Sequence, residues 1–241
     1  MRRLLAVAFA ALALPSAVSG GAPITVFAAA SLTEVLPRID QPPRYSFAGS
    51  DQLALQLRQG APADVFAAAS PKYTELLYRD GLVLKPFVFA TNKLIVLVPR
   101  SNPAGIHSVY DLRRAGVKVV IGDRAVPIGT YTRQILETLG ITAEVTKNVV
   151  SEETDVKGIA AKVALGEADA GFVYRNDAKP VASKTRAVAL PNWAQPPIRY
   201  ELAVVKASSH RSAAQAFVKK VTSRRGRLLL ARAGFGLPKK P

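Results

Sequence analysis

"EETDVKGIAAKVALGEADAGFVY", residues 152–174, reads as a helix followed by a strand. Val156, Ile159, Ala160 and Val163 fall on one helical stripe, Gly166 is placed to end the helix in the left-handed conformation, and Ala170–Tyr174 is a short apolar run of strand character. The same grammar recurs upstream. In "FAGSDQLALQLRQG" (47–60) an apolar run passes through a small-residue turn at Ser50 into a helix, with Leu53 and Leu57 on one face and Gly60 as the stop. In "AVPIGTYTRQILETLG" (125–140) Pro127 suits the first helical turn, Tyr131, Ile135 and Leu139 are four apart, and Gly140 closes the segment. "FAAASLTEVL" (27–36) breaks at Ser31 with Glu34 three residues on, the sequence form of a capping box. Pro37 should end or kink that helix near Leu36.

Outward from these segments, strands are predicted at Ile24–Ala28, Arg44–Phe47, Val65–Ala67, Leu94–Val98, Val117–Ile121, Ala170–Tyr174 and Tyr200–Val205. Strands alternating with helices from end to end predict an α/β class with parallel sheets under covering helices. Two apolar runs, "KLIVLVP" from Lys93 and "YELAVVK" from Tyr200, are candidates for the paired crossings of a hinge in a two-lobe protein. They also read simply as two core strands.

Four helix starts at small, polar or Pro-containing turns carry the first functional hint. A helix N-terminus presents unpaired amides and the positive end of the macrodipole, so several of them converging make an anion site without a charged side chain. Any one of them alone is an ordinary helix start.

Composition narrows the classes. The first residues carry Arg2 and Arg3, an apolar run from Leu4 to Leu14, Pro15 and then small residues, the pattern of a secretory signal peptide ending at about residue 22. Cysteine is absent, which excludes a disulfide framework, a thiol nucleophile and a lipid-modified cysteine at the cleavage site. These features predict an exported, periplasmic protein. Lys and Arg number 33 against 17 Asp and Glu, and from Ala178 onward fourteen basic residues face one acid, Glu201. Such a field concentrates anions. No aromatic interleaving or helix-turn-helix pattern accompanies it, so nucleic acid is not expected as a partner.

Taken together, "ITVFAAASLTEVL", "FAGSDQLALQLRQGAPADVFAAAS", "VPIGTYTRQIL", "ETDVKGIAAKVALGEADAGFVYRNDA" and "YELAVVK" resemble, in order and spacing, the periplasmic molybdate-binding proteins. These are the substrate-binding components of molybdate ABC transporters, and the resemblance covers nearly the whole mature chain. It implies a type II periplasmic-binding-protein fold, two α/β lobes joined by a two-strand hinge and closing over a tetrahedral oxyanion. The expected division is 1–22 signal peptide, 23–94 with 203–241 as one lobe, and 95–202 as the other. It also implies a ligand set: Ser31 and Ser50 by hydroxyl and amide, Ile128 and Val156 by amide, and Tyr174 by its phenol. The ligand would be molybdate or tungstate, with no cofactor, and the partner a membrane permease, with the binding protein acting as a monomer. Sulfate is the alternative ligand, separated by cavity radius.

Three carboxylates bear on this reading. Asp51 follows Ser50 and would repel a dianion if it pointed inward. Asp155 and Glu201 are candidate carboxylate ligands only if coordination is six-fold; otherwise Asp155 is a helix cap. From another class, a serine hydrolase would need His107 or His210 as its base, and no G-x-S-x-G elbow is present. Two distant histidines without cysteine give no metal site.

Overall fold

The computed structural model describes residues 23–238, and the signal segment expected at 1–22 lies outside them. The strands are β1 (Thr25–Ala29), β2 (Arg44–Ala48), β3 (Val65–Ala68), β4 (Phe87–Asn92), β5 (Leu94–Pro99), β6 (Val119–Gly122), β7 (Val149–Glu153), β8 (Ala170–Tyr174), β9 (Thr185–Ala189) and β10 (Ile198–Val204). The helices are α1 (Leu36–Ile39), α2 (Ser50–Arg58), α3 (Pro71–Arg79), α4 (Pro127–Thr138), α5 (Thr142–Lys147), α6 (Val156–Leu165), α7 (Arg211–Thr222) and α8 (Arg224–Ala233).

Two five-stranded mixed sheets result, ordered β2-β1-β3-β10-β4 and β7-β6-β8-β5-β9. In each, four strands run in one direction and a single strand runs against them: β10 pairs antiparallel with β3 and β4, and β5 with β8 and β9. Each sheet with its helices is one lobe. The central strands are fully buried, as the burial of Val26, Ala28, Phe66, Val96 and Phe172 requires of strands covered on both faces.

The chain leaves the first lobe at Lys93 and returns between Leu190 and Ile198. These crossings are stitched together: the Gln195 side-chain amide accepts from Leu94 N (3.0 Å) and donates to Leu94 O (2.8 Å), and Lys93 Nζ donates to Asn192 Oδ1 (2.8 Å). Because β10 pairs with the first sheet from Ile198 onward, residues 198–202, expected in the second lobe, belong with the first. The apolar runs beginning at Lys93 and Tyr200 are accordingly core strands of different sheets, flanking the crossings rather than forming them.

The start of a regular helix expected at Ser31 does not occur. Ala30–Leu32 form a single 3-10 turn without a side-chain cap, and α1 begins only at Leu36, with Pro37 in its first turn. Proline explains the restart: a helix begun at Ser31 would need a Pro37 N–H it does not have, whereas the first turn of a new helix needs none. The helix stops at Gly60, Gly140 and Gly166 all have positive φ, and Gly166 is the left-handed cap of α6.

Candidate functional site

The parallel strands β1, β2, β6, β7 and β8 point their carboxyl ends at the cleft, the position where open α/β sheets bind ligands. Ser31 follows β1, Ser50 follows β2, Ile128 follows β6, Val156 follows β7, and Tyr174 ends β8. All five line one cavity between the lobes, together with small or apolar residues such as Ala30, Gly49, Ala69 and Val126. The cavity is narrow, with little more room than a single water needs, which excludes an extended organic substrate.

The lobes are closed over it. Asn176 of the second lobe donates to the Ser31 carbonyl (2.8 Å), Tyr73 of the first donates to the Ala125 carbonyl, and Arg175 donates to Gly234 O from Nε (3.1 Å) and Nη2 (2.9 Å). A side chain at Gly49 would obstruct this fit, since a β-carbon there would lie 2.6 Å from the Thr154 carbonyl of the opposite lobe.

Three full-length helices, α2, α4 and α6, begin at the cavity wall. In α4 Pro127 has no N–H, and Gly129 and Thr130 both donate to Val126 O (3.0 and 3.1 Å), so Ile128 supplies the first uncommitted amide. In α6 the N-cap Asp155 accepts from Lys157 N (2.7 Å) and Gly158 N (3.1 Å), leaving the amide of Val156. Ser50 is the first residue of α2. Three N-termini at roughly half a charge each bring about +1.5 of partial charge to the cavity without a cationic side chain in its lining.

The hydroxyls are prepared in a complementary way. Ser50 Oγ accepts from Ala69 N (3.1 Å), so its own proton is free for the cavity. Ser31 Oγ is 2.8 Å from Tyr200 Oη and makes no N-cap bond. Tyr174 Oη is buried with no hydrogen-bond partner among the described residues. Burial first, then the neighbouring Tyr200, Tyr131 and Asp177, push its phenol well above the ordinary value, so it keeps its proton. An unmatched buried donor costs about 1–3 kcal/mol, and an acceptor in the cavity would relieve that cost.

The carboxylates expected as possible ligands are placed differently. Asp155 lines the cavity but its Oδ1 is committed to the cap. Glu201 does not line it; it is buried elsewhere and accepts from Thr74 Oγ1. Asp51 is also outside the lining, in the first turn of α2, with a buried, unpartnered Oδ1. Desolvation leads the rise of its carboxyl above the usual range. Neither histidine lines the cavity, and His210 Nδ1 instead faces Asp64 Oδ1 at 3.2 Å. Sequence reasoning missed Tyr200 and Asn176, whose signal was only their position beside the recognised strands.

A family model described as "Bacterial extracellular solute-binding protein" matches residues 24–236. The chain belongs to this family. The molybdate-binding protein ModA of Mycobacterium tuberculosis (strain H37Rv) is 40% identical to it over 229 residues, 91% of this chain and 86% of that protein. Among solved structures, the Azotobacter vinelandii periplasmic molybdate-binding protein matches with a TM-score of 0.80 at 24% identity, covering 90% of this solute-binding chain and all of that one. The sulfate-binding protein SubI of M. tuberculosis matches with a TM-score of 0.78 at 20% identity, covering 89% and 86%. These two structural likenesses are of fold.

Proposed function

We propose that this solute-binding protein captures molybdate or tungstate between its lobes in the periplasm and delivers the anion to the permease of an ABC transporter. One observation carries the reading: Ser31, Ser50, Ile128, Val156 and Tyr174, far apart in sequence, line one small cavity between the lobes. The amides of Ser31, Ser50, Ile128 and Val156 and the hydroxyls of Ser31, Ser50 and Tyr174 make seven donors, close to two for each oxygen of a tetrahedral anion. A buried dianion without a counter-ion requires such saturation. The similarity to a molybdate-binding protein at 40% identity supports the choice of ligand.

A ligand set made only of donors selects on protonation. Molybdate and tungstate carry no proton at neutral pH, whereas hydrogen phosphate brings an O–H that would be buried without an acceptor, at a cost of about 1–3 kcal/mol. The protein holds the anion without transforming it and works as a monomer. Because both lobes touch the ligand, the anion stabilises the closed form, which the permease then recognises.

Isothermal titration of the mature protein with molybdate, tungstate, sulfate and phosphate tests this. Tight binding of the first two and none of the last two is expected. Absence of heat with both molybdate and tungstate would overturn the reading, and preference for sulfate would reassign the ligand.

A further inference from the structure

Beside the cavity lies a buried polar chain that none of the five expected ligands explains. It consists of Ser31, Tyr200, Asn92 and Asn176, all buried. Asn92 ends β4 immediately before the crossing residue Lys93, Tyr200 lies in β10, and Asn176 comes from the second lobe.

The orientation of both side-chain amides in this chain follows from two backbone groups. The Ser31 carbonyl can only accept, so the group of Asn176 facing it at 2.8 Å is Nδ2, and Asn176 Oδ1 points away. That Oδ1 accepts from Asn92 Nδ2 at 2.8 Å. At the other end the Lys93 N–H can only donate, which fixes Asn92 Oδ1 toward it at 2.9 Å. Both amides are thereby oriented without ambiguity. Asn92 presents its Nδ2 to the Tyr200 hydroxyl, at 3.5 Å, and a protonated amide nitrogen accepts nothing.

Tyr200 Oη lies within hydrogen-bond distance of Asn92 Nδ2 and Ser31 Oγ, with the Tyr174 hydroxyl also beside it. Asn92 Nδ2 cannot accept and Tyr174 Oη makes no formed hydrogen bond among the described residues, so the phenol proton goes to Ser31 Oγ at 2.8 Å. Ser31, with its acceptor face occupied, turns its own proton to the cavity. The Tyr200 ring cannot swing away, being held edge-on by Phe89, Tyr174 and Phe235 with centroids 6.3, 5.7 and 5.2 Å distant.

We propose that Tyr200, oriented by Asn92 and Asn176, is a specificity-determining positioning residue that locks Ser31 as a hydrogen-bond donor toward the oxyanion. Ser50 receives the same service from the Ala69 amide. Without Tyr200, Ser31 could rotate and offer a lone pair, which is what a protonated anion needs and a fully deprotonated one does not. This inference rests on the oxyanion-binding reading above.

The test is a double-mutant cycle read by titration with molybdate, with apo thermal melts alongside. Tyr200→Phe keeps the ring and removes only the hydroxyl. It is expected to weaken molybdate binding about tenfold, the scale of one net hydrogen bond, while the apo melt moves little. In a Ser31→Ala background the same change should cost less than twofold, because the hydroxyl it orients is gone; in a Ser50→Ala background the full tenfold loss should persist. Equal losses in both backgrounds, or no loss in the single variant, would overturn the proposal, since Tyr200 would then act through packing or not at all. Failure of the wild-type protein to bind any of the oxyanions would instead remove the functional reading itself.

Discussion

The two lobes meet the cavity with different chemistry. The first offers side-chain hydroxyls, Ser31 and Ser50, each with its oxygen occupied by a donor from its own lobe, Tyr200 Oη for one and Ala69 N for the other. The second offers backbone amides at the starts of α4 and α6, and one phenol. A hydroxyl must be oriented before it can serve as a donor; an amide at a helix start is oriented by the helix itself. The first lobe therefore depends on the identity of its side chains, and the second on backbone geometry that many side chains permit.

The largest effect should come from breaking the first lobe. Ser31→Ala combined with Ser50→Ala removes two donors to a charged group, each worth about 1.5–3 kcal/mol, so oxyanion affinity should fall by at least about 100-fold. Neither serine is a helix cap, but Ser50→Ala leaves the buried Ala69 amide without its acceptor at a cost of about 1–3 kcal/mol, so the unliganded protein should melt lower by several degrees while still folding. Titration calorimetry and apo melts measure the two quantities independently. Affinity unchanged in the folded double variant would reverse the assignment and make the serines structural.

How much of this contrast was legible in the sequence depended on the same distinction. The α4 and α6 starts were readable because Pro127, Asp155, Gly140 and Gly166 are local signals whose meaning does not depend on distant residues. Ser31 was readable as a polar break after a strand, yet its capping-box pattern misled: Pro37 prevents the helix, and the hydroxyl's partner, Tyr200, is 169 residues away. The strands missed, β4, β7 and β9, are all at sheet edges, where half-exposed positions dilute the apolar run that marks a central strand. Tyr200 was visible as a strand residue but not as part of the site, because which lobe it joins is decided by pairing with β3 and β4.

The second lobe also hides a charge, and this sharpens the comparison in stability rather than affinity. Asp177 lies fully buried just beyond Tyr174, its Oδ1 ion-paired with Lys157 Nζ at 3.2 Å as its one close polar partner among the described residues. Lys157 also reaches toward Glu34 of the first lobe, at 3.8 Å. Desolvation pushes the Asp177 carboxyl up to about 6, against the opposing pull of Lys157, with Asp155 and Glu34 adding to the rise. A carboxyl raised on folding binds its proton more tightly in the folded state, so its stabilising contribution is complete below about pH 4 and is lost as pH rises through about 6. Asp177→Asn, a mimic of the neutral form, should lack that loss. Between pH 4 and 7.5 the melting temperature of the variant should therefore gain on that of the wild type by several degrees; parallel curves would show that the carboxyl titrates normally.

The smallest effect tests the backbone half directly. Ile128 is buried at the cavity wall, yet what it offers is the first free amide of α4. Ile128→Val leaves that amide in place and deletes one methylene, at a cost of about 0.5–1.5 kcal/mol in folding stability. Oxyanion affinity measured by titration should stay within about twofold of wild type, even as the melt shifts down, because affinity and packing draw on different atoms of the same residue. A tenfold loss of affinity from so small a change would mean that the side chain shapes the cavity wall closely enough to set ligand radius. Ile128 would then be read as part of the size discrimination between sulfate and the larger oxyanions, and the second lobe would depend on side-chain identity as the first one does.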